Sequence, residues 1–179
     1  MELPPQLQED SVLIPWGNLF LQVIAKEVPE SDLPSADDKE DREMYPWTKA
    51  KKWSFANLNR LFSRYAVQTG LGDSKASAFG KHFVANFAPE IMKAYLQQID
   101  LFMSGKIWLS ERCVYLIVDF LEECIKPKVT WALLKGNIPN LISHVIFPLL
   151  SLREEDLELW EEDPVEYIHK KIGMYPFHR

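Results

Sequence analysis

The 179-residue chain has two cysteines, seven glycines and no long apolar run. Each scarcity excludes something. Cys113 and Cys124 lie eleven positions apart on one predicted helix, and at about 1.5 Å of rise per residue they are too distant to bridge. They read as buried apolar thiols in a reducing compartment. No glycine stands in a GxGxxG or P-loop pattern, no HExxH is present, and no Ser or Cys occupies a nucleophile elbow. His82, His144, His169 and His178 are scattered, so catalysis would need a triad assembled across the fold. No apolar stretch approaches the roughly 18 residues that span a membrane. The opening "MELPPQLQED" is acidic and proline-rich, unlike a signal peptide. Asn-Gly hairpin signals and sustained two-residue alternation are also missing, which argues against paired strands. The expected location is cytosol or nucleus, with no cofactor and no metal.

What is present is an aromatic-rich, helical chain. Six Trp, ten Phe and six Tyr argue for a folded core. The net charge of −6 argues against a general grip on nucleic acid. That charge is concentrated. Glu30 to Glu43 holds seven acids against Lys39 and Arg42, and Arg153 to Asp163 holds seven against one Arg. The remainder is net positive, so these two segments are where a basic partner would bind.

Apolar residues recur at three and four through most of the chain. "IPWGNLFLQVIAKEV" predicts a helix starting at Pro15, with Trp16, Leu19, Phe20, Val23 and Ile24 as its stripe. Residues 29–45 then predict an acidic mobile loop. A second helix starts at Pro46, with Ala50, Ser54, Leu58, Leu61, Phe62 and Tyr65 inward and Lys49, Lys51, Lys52, Arg60 and Arg64 mostly outside the stripe. Within it, "KAKKW" reads as an ordinary helix face, a partner of the acidic loop or a phosphate contact. Residues 75–103 predict a long helix broken near Pro89. Ser110 caps the next helix, and Asn137 the one after, with Leu141, Ile142, Val145, Ile146 and Leu149 inward. The expectation is an all-α chain of helix pairs recurring at about 40 residues, a solenoid of HEAT or armadillo type; a globular bundle fits the same periodicity.

The stretch "LREEDLELWEEDPVEYIHKK" raises its own question. Ser151 with Glu154, and Asp163 with Pro164 and Glu166, fit capping boxes. Glu155, Asp156, Glu158, Glu161 and Glu162 remain, with Leu157, Leu159 and Trp160 as anchors. Three readings are open: a solvated turn, an acidic contact surface for a basic protein, or a carboxylate site for metal or catalysis. No His or Cys accompanies the acids at ligand spacing, which weakens the last.

"WTKAKKWSFANLNRLFSRY" after an acidic linker, "VIFPLLSLREEDLELWEEDPVEYIHKK", "ELPPQL" and "PWGNLFLQVIAKE" together resemble the importin-beta (karyopherin-beta) receptors, in the branch of importins seven and eight. The resemblance covers residues 2 to 172 in order, and the final "GMYPFHR" departs from it. It implies a HEAT-repeat α-solenoid over residues 1–179, as an internal piece of about four repeats. It also implies a carrier that shuttles between cytoplasm and nucleus through the pore, binds basic cargo such as ribosomal proteins or histones, contacts phenylalanine-glycine nucleoporins and responds to Ran-GTP. No membrane or direct nucleic-acid partner is implied. The cargo or Ran contact would fall on the acidic Trp segment 153–163, through Glu154, Glu155, Asp156, Glu158, Trp160, Glu161 and Glu162. A second, more mobile contact would use Asp37, Asp38, Glu40 and Asp41. The competing readings are a HEAT scaffold with no transport role and a stand-alone helical enzyme.

Overall fold

The structure is a computed structural model describing residues 4–35, 38–67, 74–152 and 154–172. The side chains of residues 30, 74–77, 155 and 170–172 are outside that description. Among the described residues all regular structure is helical: α1 (Asp10–Ala25), α2 (Lys39–Met44), α3 (Pro46–Arg60), α4 (Ser74–Asn86), α5 (Ala88–Met103), α6 (Glu111–Glu123), α7 (Lys128–Leu134), α8 (Ile138–Leu141), α9 (Phe147–Leu150), α10 (Glu154–Glu162) and α11 (Pro164–Ile172). The all-α, HEAT-like expectation holds. The chain divides into two compact units, residues 1–138 and 139–179.

Local chemistry sets the helix ends. Ser110 caps α6 by accepting from the Cys113 amide at 3.3 Å. Phe87 separates α4 from α5, and Pro89 sits in the first turn of α5, so the expected break falls where the proline loses nothing. After α5, Gly105 takes φ +70. Its amide reaches the Phe102 carbonyl at 3.0 Å and the Lys106 amide reaches Leu101 at 2.9 Å, the Schellman arrangement that a glycine permits. Two expectations fail. α1 begins at Asp10 and carries Pro15 inside it, so its inward line is Leu13, Gly17, Phe20 and Ile24, while Trp16 and Leu19 are about half exposed. Asn137 caps nothing, because a 3-10 turn (Lys135–Asn137) runs straight into α8.

In the first unit, α3 carries the core. It widens into a π-helical segment, Leu61–Val67, which brings Phe62 and Tyr65 inward and leaves Leu61 half-buried. Rings join the helices in series: Phe55 to Tyr95 and Tyr95 to Phe120 at 4.8 Å, Phe120 to Phe62 at 4.8 Å, and Phe62 to Phe83 at 6.4 Å. Pairs of this kind contribute about 0.5–1.5 kcal/mol each beyond their buried area. Lys51 pairs with Gln98, Phe55 and Asn59 with Tyr95, and Asn59 with Leu116. α5 therefore runs antiparallel to α3, and α6 runs parallel to α3. Gly80 brings α4 against the π segment; a Cβ there would meet the Ala66 carbonyl oxygen at 2.8 Å.

Polar groups cross this apolar interior. The Asn59 amide donates to the Leu116 carbonyl at 2.7 Å and to Asp119 Oδ2 at 3.1 Å. The Tyr95 hydroxyl shares one proton between Asn59 Oδ1 at 2.9 Å and the Phe55 carbonyl at 3.1 Å. Lys51, expected outside the stripe, is buried and donates to Gln98 Oε1 at 3.2 Å. Its place one turn before Phe55 puts it on the packed side of the helix. Burial pulls its pKa below the usual lysine range, partly offset by Cys113 and Glu27. Cys113 and Cys124 are free thiols and buried, as expected.

Asn59→Leu leaves the Tyr95 hydroxyl and the Leu116 carbonyl with fewer partners. At about 1–3 kcal/mol per stranded buried group, we expect a loss of about 2–4 kcal/mol in urea melts, with helix content retained in the folded state. Burial also pushes the Cys124 thiol up from 9.0 to about 12. Between these values the unfolded chain releases a proton that the folded chain keeps, so stability falls as pH rises through that window, by at most about 1.4 kcal/mol per pH unit. Melts of Cys124→Ala across the same window should show a shallower alkaline decline than the parent.

Candidate functional site

α10 and α11 form a hairpin in the second unit. Its hinge is Asp163, whose Oδ1 accepts from the amides of Val165 and Glu166, both at 3.0 Å. The expected cap is therefore present, with Pro164 at the first helical position. Ser151 does not cap α10 as expected. Its hydroxyl donates back to the Phe147 carbonyl at 2.8 Å, and it ends α9. Trp160 packs edge-on against Tyr167 with ring centroids 5.4 Å apart, joining the two helices. Leu159 is half-buried, whereas Leu157 and Trp160 are each 48% exposed.

Helical spacing divides the acids. Glu154, Glu158, Glu161 and Glu162 recur at three and four, so they share one face. Asp156 lies one turn from Trp160, on the other side. Glu154, Glu158, Glu161 and Glu162 are exposed and make no ion pair among the described residues. The side chain of Glu155 lies outside the described residues. Like charges at i,i+4 cost about 0.2–0.5 kcal/mol per pair, so this face is held against its own repulsion. Among the described residues no group of His, Cys, Asp and Glu could hold a metal ion.

The segment expected as a mobile loop, 29–45, contains a 3-10 turn (Glu30–Asp32) and α2. Asp38 caps α2 by accepting from the Asp41 amide at 2.9 Å. Arg42 is buried. Its Nε donates to the carbonyls of Pro34 at 2.8 Å and Ser35 at 3.1 Å, and its guanidinium lies 5.7 Å from the centroid of the Trp108 ring. A cation thus folds the acidic segment back on itself. Asp38, Glu40 and Asp41 are exposed, and Asp37 lies outside the described residues. These acids belong to the first unit and the α10 acids to the second.

Sequence reasoning missed a groove in the first unit. It has a volume of about 440 Å³ and lies between α1 and the α4–α5 pair. Leu13, Phe83 and Ile91 form its buried floor. Gly17 opens it, with nothing within 4 Å of where a Cβ would stand. At its rim His82 Nε2 lies 2.9 Å from Asp10 Oδ1, and the Asn86 amide lies 3.0 Å from His82 Nδ1. Nε2 thus fastens α4 to α1, while Nδ1 is engaged within α4. The phenylalanine spacing at 79, 83 and 87 was the available signal for the floor.

Comparisons with known proteins agree with this architecture. The Cse1 family model matches residues 119–173, which include the acidic hairpin. The chain is 35% identical over 174 residues to "Nonsense-mediated mRNA decay protein 5" of Saccharomyces cerevisiae, covering 97% of this chain and 16% of that protein. It is 32% identical to "Importin beta-like SAD2 homolog" of Arabidopsis thaliana, covering 95% and 16%. It is 31% identical to human "Importin-8", covering 97% and 16%. The chain belongs to the importin-beta family. It spans about a sixth of the length of these curated relatives, 16% in each case. No solved structure matches it.

Two substitutions separate structural from surface acids. Asp163→Ala should cost about 0.5–2 kcal/mol through the lost cap. Glu158→Gln relieves repulsion with Glu154 and Glu162 and should stabilise by a few tenths of a kcal/mol. Urea melts of both variants check the opposite signs.

Proposed function

We propose that this chain is the basic-cargo-binding part of a nuclear transport receptor that carries proteins into the nucleus through the pore. The supporting observation is the exposed face of Glu154, Glu158, Glu161 and Glu162, which has no counter-ion among the described residues. Ribosomal proteins and histones are strongly basic. A fixed anionic face speeds their encounter, and its attraction weakens with salt. Trp160 lies on the opposite side of α10 with Asp156, packed on Tyr167 and half exposed, and gives a cationic side chain a separate ring to lie on. Asp38, Glu40 and Asp41 form the second contact, on a segment held in shape by Arg42. Ran-GTP binding and release of cargo belong to the same reading. The groove floored by Phe83 has the size and apolar lining to take a nucleoporin phenylalanine ring, with Gly17 leaving the entrance open. Shuttling between cytoplasm and nucleus follows from this role. A HEAT scaffold with no transport role is the second reading; Ran-GTP discriminates between them, since a scaffold has no use for it.

The test is a pull-down of a basic ribosomal protein with the parent chain and with a variant carrying Gln at 154, 155, 156, 158, 161 and 162. We expect capture by the parent at about 0.15 M salt, loss in the variant, and unchanged helix content. Addition of Ran locked to GTP should release the cargo. Equal capture by both chains would return the acidic face to a solvated surface. Capture lost in the variant but indifferent to Ran would leave a cargo surface without the Ran response.

A further inference from the structure

A second charged surface, of opposite sign, lies on α3. From Pro46 to Val67 the chain has five cations, Lys49, Lys51, Lys52, Arg60 and Arg64, and no acid. Lys51 is buried with Gln98. Of the other four, Arg60 and Arg64 are exposed and Lys49 and Lys52 half-buried, and Lys49, Trp53 and Arg60 recur at four and seven residues along one face of the helix. None of the four has an ion-pair partner among the described residues. Trp53, in the middle of this row, is 59% exposed, and Lys52 Nζ lies 5.9 Å from its ring centroid.

The neighbouring helix extends the row. Lys51 and Cys113 line the same small cavity, and Asn59 bonds to Leu116, so α6 lies alongside α3 in the same direction. On α6 the exposed Arg112 guanidinium lies 4.8 Å from the centroid of the half-exposed Tyr115 ring. A large exposed aromatic flanked by unpaired cations is costly to leave bare in water and suits a ligand that is both anionic and apolar.

We propose that the outer face of α3, continued by Arg112 and Tyr115 of α6, docks an acidic peptide segment of a partner protein that carries an aromatic or large aliphatic side chain. The carboxylates pair with Lys49, Lys52 and Arg60, and the apolar side chain lies on Trp53. A short peptide fits better than a nucleic acid because the row offers only five cations and is bounded by the exposed acids of α2, which packs against α3: a short acidic segment can end before those acids, whereas a polyphosphate strand that continues past the row meets them at every phosphate. This surface does not depend on the cargo reading, since it uses neither α10 nor the loop before α2.

The test is fluorescence anisotropy with the full chain at about 0.1 M salt. The probes are a labelled peptide alternating Glu and Ser around one Phe, the same peptide with Gln for Glu, and a labelled single-stranded oligothymidylate. We expect the acidic peptide to bind, the Gln peptide to bind at least about tenfold more weakly, and the double variant Lys52→Glu, Arg60→Glu to lose the acidic peptide while keeping parental helix content and basic-cargo capture. Trp53→Ala, which leaves the charges in place, should weaken the Phe peptide about fivefold or more and leave its Phe-free counterpart unchanged. Equal binding of the acidic and Gln peptides, or acidic-peptide binding unchanged in the double variant, would overturn the proposal. So would oligothymidylate binding tighter than the peptide and lost in the same variant, which would make the surface a nucleic-acid site.

Discussion

The first unit depends on one buried polar junction. Asn59 ties α3 to the backbone of α6 and receives the Tyr95 hydroxyl from α5. Apolar packing alone tolerates sliding, because one methyl group resembles another. A carboxamide that must satisfy a donor and an acceptor from two different helices tolerates much less. The aromatic series from Phe55 to Phe83 passes through the same place, since Tyr95 belongs to both. The parallel setting of α3 and α6 therefore has a defined register, and every surface that these helices present inherits it.

The two units manage charge differently. In the first, Arg42 withdraws from solvent and gathers the acidic segment around itself, so Asp38 and Asp41 contribute to a fold as well as to a field. In the second, Asp163 has a structural task, and Glu154, Glu158, Glu161 and Glu162 repel one another along a short helix. Carboxylates that stabilise nothing locally and make no ion pair are wholly available to a partner; those that cap, such as Asp38, have one oxygen already committed. The same distinction holds for cations, with Lys51 absorbed by the core and Lys52 left outside.

Much of the architecture was legible because the punctuation was chemical. Pro89, Ser110 and Asp163 each act within a turn of their own position, and such signals survive in a single sequence. The resemblance to importin-beta receptors likewise rested on local words, "WTKAKKW" and "ELWEEDP". What was not legible required knowledge of the neighbours. Lys51 looks like a surface residue until Phe55, Leu58 and Phe62 are seen to share its face. The phase of α1 was misjudged because Pro15 resembles a start, although the helix had begun a turn earlier. Ile142 and Ile146 were expected inward from periodicity, yet both are 41% exposed, because the π-helical segment Ile142–Ile146 changes the phase on which that expectation relied. For the acidic segment, the acids themselves were visible from composition, but the separation of Asp156 from the main face needed the helix boundaries.

Gly80 acts as a spacer gauge for the groove. Because backbone meets backbone there, the distance between α4 and the π segment is fixed by the thickness of a peptide unit and not by a side chain. α4 also carries His82, Phe83 and Asn86, so that one contact sets how far the groove's wall stands from α1. An alanine in its place would act as a shim about one methyl group thick. It would change the aperture of the groove from a position outside its lining.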